Sequence, residues 1–222
     1  MCSSDLGGVP KDGIPSIDEP KFVSVREAEA FMEPNDVGML YTNGTSHYYP
    51  FRILNWHEIV NDDVEGEKIM VTYCPLCDSA AVYSREISTG ASEFGVSGFL
   101  YQSNLMMYDR ETETLWNQIT GEAVIGELTG EKLSLLPSNV VQWKTLQEHY
   151  PDAKVLSTRT GFFRDYSRSP YADYMESDRI MFPVQTEDDR LHPKARVLGI
   201  VLNGEQKAYP RSIVDATAEI QD

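Results

Sequence analysis

Tyr41-Thr42-Asn43-Gly44-Thr45-Ser46-His47-Tyr48-Tyr49-Pro50 holds an Asn-Gly pair between apolar and aromatic runs, the strongest short hairpin signal. A type I′ turn needs positive φ at both central residues, and Asn-Gly supplies it. The same grammar returns at an offset of 160 residues, where Asn203-Gly204 is followed by Tyr209-Pro210. Ile53 matches Ile213, and Asp62 matches Asp222. Each copy reads as strand, turn, strand, Tyr-Pro and a short helix. After the first copy the chain runs on into the β-rich run Lys68–Tyr73 and then Cys74-Pro75-Leu76-Cys77. After the second it stops at Asp222, which predicts a domain truncated inside its second repeat.

Working outward, residues 1–20 carry Gly7, Gly8, Pro10, Gly13, Pro15 and Pro20, and read as an irregular arm rather than a packed element. The opening Met1–Leu6 reads as non-native sequence, so Cys2 receives no role. Ser24 and Glu27 form a capping-box pattern that predicts a helix over Val25–Met32. Val37–Tyr41 and Ser46–Tyr49 are hairpin strands. The spacing of Ile53, Trp56 and Val60 predicts a helix over Phe51–Val60. Ala80–Arg85, Glu93–Ser97, Leu105–Asp109, Thr114–Gln118, Ala123–Ile125, Lys132–Leu136 and Val155–Ser157 read as further strands. Ser138 is expected to cap a helix over Val140–His149, ended by Pro151. Gly161–Pro183 interleaves aromatics and arginines with no regular period and is expected to be a long ordered loop. Val197–Leu202 and Gln206–Tyr209 form the second hairpin. The fold class expected is α+β: a β-rich single domain over 21–222 with two related strand–turn–strand–helix units (38–62 and 199–222).

Composition narrows the function. The 222 residues carry 35 acidic and 19 basic side chains, a formal net charge of −16. That balance, with a pI near 4.6, argues against nucleic-acid phosphates and anionic lipid as partners. No apolar run is long enough for a transmembrane segment. The phosphate loop, the dinucleotide fingerprint and the Gly-x-Ser-x-Gly elbow are all missing.

Chemistry concentrates at Cys74-Pro75-Leu76-Cys77, between two predicted strands. Four readings fit. A zinc knuckle aims both sulfurs at one ion but lacks a second cysteine pair, leaving His57 to help. A thiol–disulfide pair suits the spacing, although such pairs more often stand at a helix N-terminus. A soft-metal site, copper(I) first and zinc second, would add thioether sulfur from Met106 and Met107 to Cys74 and Cys77. A disulfide or two buried thiols is the purely structural reading. The metal reading is preferred at this point, with Cys74, Cys77, Met106, Met107 and His57 as its donors. Core packing is the ordinary fate of a methionine or a lone helix histidine. Asn104, Trp116 and Gln118 sit at strand ends, where polar groups can line a cleft; hairpin-end hydrogen bonding is the plainer explanation. Arg164 and Tyr166 of the aromatic loop are the remaining ligand candidates, against a structural ion pair for Arg164-Asp165.

Long motifs carry a resemblance. Arg52-Ile53-Leu54-Asn55-Trp56-His57-Glu58-Ile59-Val60-Asn61-Asp62, Val71-Thr72-Tyr73-Cys74-Pro75-Leu76-Cys77, Asn104-Leu105-Met106-Met107-Tyr108-Asp109-Arg110 and Leu115-Trp116-Asn117-Gln118 resemble the family catalogued as domain of unknown function 3179. So do Phe94–Gly98, Gly161 with Arg164-Asp165-Tyr166, and Pro170-Tyr171. Asp78 stands where the family pattern leads one to expect glycine, which counts against a tight knuckle turn. The resemblance implies an uncharacterised exported protein of bacteria or archaea, extracytoplasmic in the intact parent, and no activity that transfers residue by residue. The function expected is metal binding. The alternatives are a thiol–disulfide oxidoreductase and a binding module in which the aromatic–arginine loop grips a small molecule.

Overall fold

The computed structural model describes residues 8–185 and 188–216. Cys2, Met1–Leu6 and Asp222, on which expectations above rest, lie outside the described residues. Along the chain, β1 (Phe22–Ser24) leads into α1 (Val25–Ala28). The first hairpin is β2 (Val37–Asn43) and β3 (Thr45–Pro50), followed by α2 (Phe51–His57). Then β4 (Ile59–Val64), β5 (Glu67–Cys74) and β6 (Ser79–Ser84) form an antiparallel three-stranded sheet. A small ribbon, β7 (Glu86–Ile87) with β8 (Gly90–Ala91), precedes a four-stranded meander. Its strands are β9 (Phe94–Tyr101), β10 (Asn104–Asp109), β11 (Leu115–Asn117) and β12 (Ala123–Ile125). β13 (Ser138–Gln142), α3 (Trp143–His149) and β14 (Lys154–Leu156) bring the chain back to the first hairpin, giving a five-stranded sheet in the order β1-β14-β3-β2-β13. After α4 (Ala172–Glu176), the second hairpin pairs β15 (Val197–Leu202) with β16 (Glu205–Pro210), ahead of α5 (Arg211–Val214). Strand makes up 40% and helix 13%, so the fold is β-rich with few helices.

Several expected boundaries move, each for a physical reason. The Ser24–Glu27 capping box is present, but α1 stops at Ala28, and the Phe31 and Met32 N–H groups both turn back to the Ala28 carbonyl. The helix after Pro50 ends at His57. Glu58 caps it with φ +58, and the β-branched Ile59-Val60 pair with Thr72 and Val71 instead. The helix expected over 140–149 begins only at Trp143. Ser138 caps nothing, because 138–142 add a strand to the edge of β2. Of Lys132–Leu136 only isolated bridges form, at Lys132 and Leu135. The N-terminal arm is laid on the body: Gly8 and Asp12 donate to Gly98 and Val96, and Ile17 is buried beside Val60. The turns differ too. Asn203 and Gly204 both have positive φ, as a two-residue type I′ loop requires. In the first hairpin Asn43 pairs with Thr45 across Gly44, which alone has positive φ, and the Asn43 side chain donates to Glu67 at 2.9 Å.

Two of the three buried clusters position the site. One packs Ile53 and Leu54 of α2 against Val71, Tyr73 and Tyr49, each such aliphatic side chain contributing about 1.5–3 kcal/mol of burial free energy. The other packs the reverse face of β5 and β6, including Met70, Cys74 and Tyr83, against Phe94, Leu105, Met107 and Trp116 of the meander. The second cluster brings the cysteine turn to the ends of β10 and β11.

Candidate functional site

Cys74 ends β5, and its partner Ser79 opens β6, so Pro75–Asp78 form the connecting turn. Such a turn needs one residue with positive φ. Asp78 takes it at +49, a conformation aspartate tolerates better than most residues. The Tyr73 hydroxyl donates to its carboxylate at 2.9 Å, and Arg196 pairs with the other oxygen at 2.5 Å. The departure from glycine is thus accommodated within the turn.

The two sulfurs are chemically unequal. Cys74 is buried and Cys77 is exposed; both are free. Asn104 Nδ2 lies 3.0 Å from Cys77 Sγ, and Ser79 Oγ also lies 3.0 Å away. Gln118 holds both groups in place: its Oε1 accepts from Asn104 Nδ2 at 2.9 Å and lies 2.8 Å from Ser79 Oγ, whose single proton serves either Gln118 or Cys77. Its own Nε2 donates to the Ser79 carbonyl at 3.2 Å. The Cys74 thiol, then the Ser79 hydroxyl, the Asn104 amide and the Ser79 backbone N–H stabilise negative charge on Cys77, whose pKa drops from 9.0 to about 6. Cys74 moves the other way, raised well above the thiol range by the bond it gives Cys77 and by burial. The surroundings thus favour ionisation of Cys77 over that of Cys74.

The surroundings add a carboxyl group. Glu58 is 6% exposed, and burial lifts its pKa from 4.5 to about 7. Tyr171 donates to it at 3.0 Å, while Tyr174 donates to the Leu76 carbonyl within the cysteine turn at 3.1 Å. The long aromatic segment therefore covers the turn from α4, the short helix inside it.

Of the sequence-predicted residues, Asn104 and Gln118 stand with Cys77 and Cys74. Met107 shares the buried cluster of Cys74, together with Met70, while Met106 lies outside it. His57 is fully buried, with Pro15 O at 2.8 Å from Nδ1 and the Tyr166 hydroxyl at 2.7 Å from Nε2, so both ring nitrogens are engaged. Burial lowers its pKa to about 4 and keeps the ring neutral. Tyr166 also meets Thr160 at 2.6 Å, which fastens the loop, whereas Phe162 and Phe163 are exposed. Arg164 lies over Trp56 at 5.9 Å. Trp116 is core, its Nε1 donating to the buried Asp109 at 2.8 Å. Among the described residues, no three His, Cys, Asp or Glu side chains gather as a metal cluster. Among the same residues, no helix is long and apolar enough to cross a membrane. Ser79, Glu58, Tyr171 and Tyr174 are not among the site residues expected from the sequence; Glu58 and Tyr171 stand within the family motifs quoted above, and Ser79 precedes a predicted strand beside the cysteines.

The fold and site define a β-rich α+β protein with a Cys-x-x-Cys turn between two strands. The chain belongs to the family described as Protein of unknown function (DUF3179), whose model matches residues 11–222. Neither a curated protein nor a solved structure matches it.

Proposed function

We propose that the protein carries out thiol–disulfide exchange, with Cys77 as nucleophile and Cys74 as resolving cysteine. The observation that supports this is the asymmetry of the pair: an exposed sulfur bonded by Asn104 and Ser79 beside a buried one. A thiolate is the attacking species, and a thiol with a pKa near or just below ambient pH reacts best. In the first step the Cys77 thiolate attacks a substrate disulfide. A Cys77–substrate S–S bond forms, the substrate S–S bond breaks, and one substrate thiolate leaves to take a proton from water. Cys74 then attacks Cys77, and the second substrate thiol departs. The substrate disulfide is reduced and the cysteine pair oxidised; run backwards, the pair oxidises a dithiol. Our reading places this outside the cytoplasm, where disulfides persist, in keeping with the exported proteins the sequence resembles.

Exchange with a small aromatic disulfide, followed by thiolate absorbance, tests the assignment. Cys77→Ser should lose the first thiolate release, and Cys74→Ser should stop at a stable mixed disulfide. A Cys77→Ser variant that reacts as fast as the parent would sink the proposal. Stoichiometric copper or zinc in the reduced parent, lost in the Cys74→Ser/Cys77→Ser double variant, would replace it with metal binding.

A further inference from the structure

Glu58 has a place in the fold that helix capping alone does not explain. It stops α2 in the left-handed region, where a non-glycine residue is strained. Its backbone carbonyl accepts the Tyr73 N–H at 2.8 Å, which sets it across from the residue preceding Cys74. The Leu105 backbone N–H reaches the Cys74 sulfur. Glu58, Leu76 and Leu105 line one cavity of about 170 Å³, otherwise walled by apolar groups such as Val96, Leu100 and Phe182. The carboxyl group and the loop between the two cysteines thus share one apolar wall, and the Glu58 charge acts on the buried Cys74 thiol behind it. A thiol this buried has no direct route for its proton to water, and an ionised carboxylate on an apolar wall is a stronger base than one in solvent.

We propose that Glu58 accepts the proton of the Cys74 thiol in the resolving step, an assignment that rests on the exchange reading above. The Cys74 S–H bond breaks and its proton passes to the Glu58 carboxylate. The Cys74–Cys77 S–S bond forms as the Cys77–substrate S–S bond breaks. The departing substrate thiolate takes up a proton, from Glu58 or from water, and the carboxylate is restored. Tyr171, through its bond to Glu58, is a positioning residue that holds the carboxylate toward the turn.

The test is stopped-flow mixing of the reduced protein with one equivalent of a bis(nitrophenyl) disulfide. The first thiolate release reports attack by Cys77, and the second reports resolution by Cys74. Glu58→Gln is expected to leave the first release within about twofold of the parent and to slow the second about a hundredfold, the scale of one general base. Glu58→Asp keeps a carboxylate and should fall between the two; it also carries the test if the glutamine variant does not fold. Equal second-phase rates in the parent and Glu58→Gln, or in the parent and Glu58→Asp should that be the folded variant, overturn the proton-acceptor role. A parent with no Cys77-dependent first release overturns the exchange reading itself, so the two failures are distinguishable.

Discussion

The two Asn-Gly hairpins share a local grammar and differ in almost everything else. In the first, β2 and β3 lie inside a five-stranded sheet, and Leu40, Tyr48, Tyr49, Ile53 and Leu54 are at most 2% exposed. In the second, β15 and β16 pair only with each other among the described residues, and Val201 and Leu202 are 69% and 68% exposed. Asn-Gly and Tyr-Pro mark a hairpin and a helical turn in both places, although the turns themselves differ: Asn203 and Gly204 both take positive φ, and in the first hairpin Gly44 alone does. Burial is not local: Ile53 and Leu54 pack against Val71 and Tyr73 of β5, and Leu40 and Tyr48 against Trp143, Leu146 and Val155, more than ninety residues away. The first unit also leads, through Glu58 and β4, into the strand that ends at Cys74. A shared turn motif therefore says where the chain reverses, not where a site forms.

The largest expected effect breaks the comparison in stability. Ile53→Ala should cost about 2–5 kcal/mol in denaturant unfolding, as for a buried aliphatic truncation. Ile213→Ala, at the matching position but 54% exposed, should cost no more than about 0.5 kcal/mol. Equal losses would mean the second unit is packed as tightly as the first.

A smaller effect tests the residue that ends α2. The folded pKa of Glu58, about 7, lies above its ordinary 4.5, so the folded state binds the proton more tightly. Stability contributed by this group is full below about 4.5 and is lost as pH rises through 7. Glutamine cannot ionise. The stability of Glu58→Gln relative to the parent should therefore rise by on the order of 3 kcal/mol between about pH 4.5 and pH 8. A pH-independent difference would contradict a buried, elevated carboxyl at this position.

Smaller still is the contribution of one hydrogen bond. Asn104→Ala removes the amide bonded to Cys77 and should raise that thiol's pKa by about 1, the size expected for one bond to a charged group. Asn203→Ala, in the second turn, should leave it where it is.

Much of this was legible in the sequence. Asn-Gly turns and β-rich runs located most of the strands, because alternation and turn chemistry act within a few residues. The helix expected over Val140–His149 starts three residues too early because the spacing of Val140, Trp143 and Leu146 imitates a helical face; pairing of Ser138–Gln142 with β2 overrides it. Asn104 and Gln118 were recognisable as polar groups at strand ends. Glu58 and Tyr171 were not, since 113 residues separate them and only tertiary register brings them together. Met106 and Met107 looked alike in the sequence, yet neighbours on a strand point to opposite faces, and only Met107 joins the Cys74 cluster.

Thiol–disulfide exchange by this pair requires Cys77 to be a thiolate at neutral pH while Cys74 stays protonated. The most direct measurement is the pH dependence of alkylation of the reduced protein by iodoacetamide, with the modified residue identified by peptide mass. The account predicts labelling of Cys77 alone, with a midpoint near pH 6. A midpoint at or above about 8.5, the value of an unperturbed thiol, or labelling of Cys74 first, would contradict it.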